Sequence, residues 1–205
     1  LRGVPCGDLV LDEPDRQEIV VSRTFGSDVG DPLGIHEALA MFATVACERL
    51  RQRGLAAGAL RVWLDGNPHK GDLFHASRAV NLPFPTLDTS EVLMVVRFLA
   101  KSMMRTGQRY KRGGVGLMDL VRSEQRQEDL FSSADDYREQ GMEVLDKINA
   151  KFGRGTVGLG ASGWKVGGAR PGERRLGGKD AQWRPTLKAL SPSYTTRWDQ
   201  LLRVS

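Results

Sequence analysis

At 205 residues and 40% hydrophobic, the chain can bury one compact core plus an appendage. No apolar run approaches the ~18 residues that suggest a membrane-spanning helix, which excludes that class of function. Formal net charge is +5 but uneven: Lys and Arg stand 15 to 10 against Asp and Glu over residues 16–122, 2 to 6 over 123–140 and 12 to 5 over 141–205. Two basic bodies joined by an acidic connector suit a protein that meets a polyanion twice while its linker stays clear.

Residues 1–16, with Pro5, Pro14 and four acidic residues, read as a solvated tether. The chain starts at Leu1 and not at Met, so it is expected to be the back part of a longer protein. Residues 17–25, QEIVVSRTF, are β-branched and bounded by Gly26, which predicts a strand. Asp31 followed by Pro32 opens a helix, since a capping carboxylate precedes a residue whose missing N–H costs nothing there. Ile35, Leu39, Phe42, Ala43, Ala46 and Leu50 then share one face, and Gly54 is expected to close the helix. Residues 59–65 set Leu60, Val62 and Leu64 against Arg61 and Trp63, a half-buried strand broken by Gly66, Asn67 and Pro68. Residues 75–82 predict a third strand, ended by Pro83 and Pro85.

Asp88 with Glu91 three positions on starts a second helix, in which Val92, Val95, Val96, Leu99, Ala100 and Met103 repeat at helical spacing up to Gly107. Residues 113–121 give a fourth strand, preceded by Arg109, Tyr110, Lys111 and Arg112. The order β-α-β-β-α-β predicts an α+β domain over residues 17–122, with a four-stranded sheet, two helices on one face and the other face open.

Residues 123–136 form an acidic linker holding QEDLF at 127–131. A Leu-Phe pair in a polar segment cannot bury itself locally, so it either folds back onto a domain or waits for a partner's pocket. Asp135 and Asp136 can cap a third helix carrying Met142, Leu145 and Ile148 and stopped by Gly153. Beyond it the sequence is rich in Gly and Arg and predicts one short strand at 156–159 in an otherwise unstructured run. Tyr194, Trp198, Leu201 and Leu202 at the end are expected to pack on the third helix, making 137–205 a small, partly flexible C-terminal domain.

Enzymatic and metal motifs are weak. Cys6 and Cys47 lack CxxC spacing or nearby His, which indicates neither disulfides nor zinc and fits a reducing, cytoplasmic setting. Gly153, Gly155 and Gly158 satisfy GxGxxG, but a helix precedes them where a nucleotide site needs a strand. His36, His69 and His75 never pair at helical spacing with a carboxylate. The basic residues say more. Lys111 and Arg112 precede two glycines, where small side chains let a phosphate reach the backbone N–H groups. Ser22 with Arg23, and Ser77 with Arg78, offer hydroxyl and guanidinium donors for phosphate oxygens on two further strands. Strand alternation with Val80 and Leu82 points Arg78 inward. An RNA-recognition module would need stacking aromatics where Gly114, Gly116 and Leu117 stand.

With these pieces in place, the chain resembles the C-terminal part of UmuC-like Y-family translesion DNA polymerases. The segments that carry the resemblance are IVVSRTFG, LPFPTLDT, RYKRGGVGLMDL, the linker peptide, LDKINAKFGRGT and SPSYTTRWDQLL, in that family's order. The resemblance implies that residues 17–122 are the little finger, which lays its sheet along DNA and grips the backbone through Ser22, Arg23, Ser77, Arg78, Lys111 and Arg112. It implies that QEDLF is a sliding-clamp-binding peptide, with Gln127 in a small pocket, Leu130 and Phe131 in an apolar one and Asp129 beside them. It implies a UmuD'-like accessory dimer and RecA filament as partners of residues 137–205, although residues 160–179 are longer and more Gly-rich than that family's pattern. The palm with its metal-binding carboxylates is missing, so no cofactor and no polymerisation are expected of this chain, and Mg2+ belongs to the missing catalytic part. The function implied is DNA binding and clamp docking for error-prone translesion synthesis in SOS mutagenesis and DNA repair. The alternative is a protein-interaction fragment that docks a clamp or accessory subunits without touching DNA.

Overall fold

The computed structural model describes residues 17–125, 135–153, 155–162 and Trp183. Its main elements are β1 (Glu18–Val29), α1 (Pro32–Arg51), β2 (Leu55–Asp65), β3 (His75–Thr86), α2 (Thr89–Met103), β4 (Tyr110–Arg122) and α3 (Asp135–Phe152). The strands form one antiparallel sheet in the order β1-β4-β2-β3. This is the expected β-α-β-β-α-β arrangement. Ile19, Val21, Leu60, Val62, Leu64, Val115 and Leu117 turn one sheet face to Leu39, Phe42 and Ala46 of α1 and to Val92, Val96 and Leu99 of α2. Among the described residues, no helix covers the opposite face.

Local chemistry sets most boundaries. The Asp31 carboxylate accepts from the N–H groups of Leu33 (3.3 Å) and Gly34 (2.9 Å), with Pro32 opening α1. Asp88 accepts from Ser90 N–H at 2.8 Å and starts α2 in the same way. Where the expected limits were short, the cause is sheet position. Pro83 and Pro85 do not end β3, because β3 is an edge strand and a missing N–H there breaks no ladder bond. β1 likewise runs past Phe25 to Val29 across an irregularity after Thr24. Gly54 does not cap α1, which stops at Arg51; with φ of 63° it makes the left-handed turn into β2.

The short strand expected at 156–159 is absent. Thr156 folds back, its Oγ1 donating to Gly153 O (2.7 Å) and Phe152 O (3.1 Å), and Asn149 exchanges two 2.9 Å hydrogen bonds with the Val157 backbone. An amide side chain here takes the place of a strand partner. Asp135 and Asp136 open α3 as its first residues, and Gly153 follows its end at φ 102°.

The described part of the C-terminal region packs directly on α1. Arg51 forms a bidentate pair with Asp146 of α3 (Nε to Oδ2 2.6 Å, Nη2 to Oδ1 2.9 Å), and its Nη1 reaches Leu87 O (3.2 Å) and Thr89 Oγ1 (2.6 Å). The sequence marks Arg51 only as a cation suited to a helix end. Trp183, set in a stretch expected to be unstructured, is buried edge-on against Phe42 with ring centroids 6.0 Å apart, and its carbonyl accepts from Gly26 N–H at 3.2 Å.

Cys47 is wholly buried beside these contacts, and burial pushes its thiol up to about 12. Because the thiolate is the reacting form, Cys47 is expected to resist alkylation in the folded chain and to react only after denaturation. Mass mapping of iodoacetamide adducts checks this, and rapid native labelling at Cys47 would contradict it.

Candidate nucleic-acid interface

The pairing registers place residues of the helix-free face in four cross-strand rows. Taken from β1 through β4 and β2 to β3, they are Thr24, Arg112, Asp65, His75; then Ser22, Gly114, Trp63, Ser77; then Val20, Gly116, Arg61, Ala79; and last Glu18, Met118, Ala59, Asn81. Hydroxyls and guanidinium groups therefore share one face of the sheet with Val20, Trp63, Ala59, Ala79 and Met118. Asp65 is engaged by His75, Nδ1 to Oδ1 2.6 Å, which leaves Arg112 and Arg61 as the face's basic contribution.

Ser22, Ser77 and Arg112 lie on this face, and Arg112 is exposed. Arg23 and Arg78, one residue further along, take the opposite register. Arg78 is in a row with Val62, Val115 and Val21, and Arg23 in a row with Gly113, Leu64 and Ala76. Both are exposed, on the two outer strands. A Ser-Arg pair thus serves two faces, because successive strand residues alternate.

Lys111 is turned toward β1. Its Nζ lies 3.3 Å from Gly26 O and 3.9 Å from Asp28 Oδ1. Asp28 also takes Lys70 at 2.6 Å and Asn67 Nδ2 at 2.9 Å, and Arg109 donates to its carbonyl at 2.8 Å. One carboxylate thereby ties together the end of β1, the turn after β2 and the start of β4. The Lys70 hydrogen bond holds the Asp28 carboxyl below its usual 3.8, against the opposing effect of desolvation. A folded-state value below the unfolded one stabilises the fold above pH 3.8, and that contribution disappears as pH falls through the lower value. Asp28→Asn is therefore expected to lower the melting temperature at neutral pH, with the gap from the parent protein closing on acidification. A pH-independent gap would contradict this.

Gly113 and Gly114, inside β4, do not leave space for a phosphate. A Cβ on Gly113 would meet Leu64 Cδ2 at 3.1 Å and Phe25 Cζ at 3.2 Å, and one on Gly114 would enter the Trp63 indole. Trp63 is the residue that single-strand reading undervalues: it belongs to the helix-free face yet is only 8% exposed, with the Arg61 guanidinium 5.1 Å from its ring. The signal available was the R-x-W of β2 opposite the G-x-G of β4. Gln127, Asp129, Leu130 and Phe131 lie outside the described residues. Among the described residues, no group of His, Cys, Asp and Glu could hold a metal ion, and no helix is long and apolar enough to cross a membrane.

Residues 16–130 match the family described as the impB/mucB/samB family C-terminal domain, more than half of the chain. The chain belongs to the impB/mucB/samB family. Residues 140–204 match a second model, a domain of unknown function (DUF4113). Protein UmuC of Salmonella typhimurium (strain LT2) is 33% identical over 100% of this chain and 46% of its own length. Protein MucB of Escherichia coli is 32% identical over 97% of this chain and 44% of its own. This chain spans less than half the length of these curated relatives. Among solved structures, an insertion ternary complex of Dbh DNA polymerase is similar with a TM-score of 0.44 at 14% identity, over 53% of this chain and 31% of that one. A complex of the beta-clamp processivity factor and the little finger domain of PolIV gives 0.41 at 16% identity, over 56% and 98%.

Proposed function

We propose that this chain is the DNA-gripping and clamp-docking region of an error-prone translesion DNA polymerase that acts in SOS mutagenesis and DNA repair in the cytoplasm. The observation that carries the reading is the helix-free face, where Ser22, Ser77, Thr24, Arg112 and Arg61 stand in adjacent rows, with Arg23 and Arg78 exposed on the outer strands in the opposite register. Hydroxyl and guanidinium donors spaced along strands suit phosphate oxygens, and a row of them reads the backbone of damaged or primer-template DNA and not its bases. Family membership supports the same reading. The linker peptide with Gln127, Asp129, Leu130 and Phe131 takes the sliding clamp, and its acidic surroundings keep it off DNA. Residues 137–205 take the UmuD'-like accessory dimer and RecA filament, and catalysis with its Mg2+ lies in a palm outside this chain.

The test is a titration of labelled duplex and primer-template DNA. Arg112→Ala is expected to weaken binding by about three- to tenfold and equally across sequences, since a phosphate contact carries no base information. Lys111→Ala is expected to have a smaller effect, because Asp28 and the Gly26 carbonyl already occupy its ammonium. Absence of DNA binding by the parent chain would favour the protein-interaction alternative.

A further inference from the structure

We infer that Arg61, held over the Trp63 ring, is a phosphodiester-binding subsite at the centre of the helix-free face. This rests on the reading of that face as a DNA-backbone surface and adds a fixed cation where residue-type patterns on the other strands indicate none. Three observations carry it. The indole lies in a bed made by two glycines, since a Cβ on Gly114 would come 2.6 Å from Trp63 Cε2 and one on Gly116 3.7 Å from Cζ3. The guanidinium sits over that ring at 5.1 Å and is half-buried, and among the described residues it has no hydrogen-bond or ion-pair partner. Its row neighbours are Gly116 and Ala79, neither with a side chain larger than a methyl group.

An arginine with five N–H donors and no partner among the described residues, already set against an aromatic ring, needs little further ordering to accept an anion. A phosphate is the matching chemistry, because a planar fork bonds two of its oxygens at once. The buried indole cannot itself stack on a base: at 8% exposure it offers no free face. Trp63 is thus a positioning residue and Arg61 the contact. Ser22 and Ser77, flanking Trp63 in the next row, place hydroxyls on either side of the same track.

The experiment is a DNA titration over a salt series with the full chain. Arg61→Ala is expected to make the slope of log affinity against log salt shallower by about 0.9, the share of one neutralised phosphate. Arg61→Lys is expected to keep the slope while losing about two- to fivefold in affinity, because an ammonium does not lie flat on the ring. Trp63→Leu is expected to lose affinity to a similar degree and Trp63→Phe to recover most of it, with thermal melting confirming that each variant folds. Parent-like affinity and slope in Arg61→Ala, while the parent chain binds DNA steeply, would overturn the subsite alone. Failure of the parent chain to bind would overturn the underlying reading of the face as well.

Discussion

Replacing Leu130 and Phe131 together by alanine is expected to lower the affinity of this chain for a purified bacterial sliding clamp by about a hundredfold or more. The size follows from burial. Sinking a Leu or Phe side chain fully into an apolar pocket contributes about 1.5–3 kcal/mol each, and every 1.4 kcal/mol is about tenfold in affinity. Gln127→Ala removes a polar contact that water partly replaces, and is expected to cost only about three- to tenfold. Asp129 sits inside an acidic run, so Asp129→Ala is expected to change affinity least. Calorimetric titration against the clamp measures all three variants. An unchanged dissociation constant for the double variant would return the Leu-Phe pair to a structural role and remove the clamp from the proposed partners.

Arg51→Ala is expected to destabilise the fold by about 2–4 kcal/mol and to release α3, an effect large against the total stability of a domain of this size. The reason lies in how many groups the guanidinium satisfies. It holds both oxygens of Asp146, the Leu87 carbonyl and the Thr89 hydroxyl, and its side chain is 11% exposed. Truncation leaves a carboxylate and a carbonyl without their donor in a mostly dry site, which costs more than the pair's net attraction contributes. Asp146→Ala is expected to cost less, since Arg51 keeps two of its partners. Arg138, 3.7 Å from Asp88 and more exposed, is a second, weaker tie between α3 and the start of α2. Thermal melting with limited proteolysis distinguishes the two effects. Equal melting temperatures and an α3 as resistant to protease as in the parent chain would contradict the anchoring role.

The β-α-β-β-α-β order is legible in the sequence because its signals are local. Asp31-Pro32, Asp88 and the apolar repeats of the two helices each act within a few residues, and Leu60, Val62 and Leu64 mark a strand's buried side without reference to any neighbour. Errors arose where the deciding partner is distant in the chain. Pro83 and Pro85 end a central strand but not an edge one, and edge position depends on which strands pair. Gly114 reads as open space until Trp63, 51 positions earlier, is laid over it. Arg51 reads as a helix-end cation until Asp146 arrives from α3, and Trp183 reads as part of a polar run until Phe42 receives it. Of the six strand residues expected at phosphates, alternation within each Ser-Arg pair could have separated Ser22 and Ser77 from Arg23 and Arg78. The turn of Lys111 toward Asp28 could not be anticipated, because it depends on a bend in β1.

The salt dependence of duplex binding tests most directly whether the helix-free face is a DNA-backbone surface. Arg112 and Arg61, the basic residues of that face, predict a log–log slope of about −2, with little dependence on base sequence. A slope near zero, or binding that vanishes for all but one sequence, would contradict it.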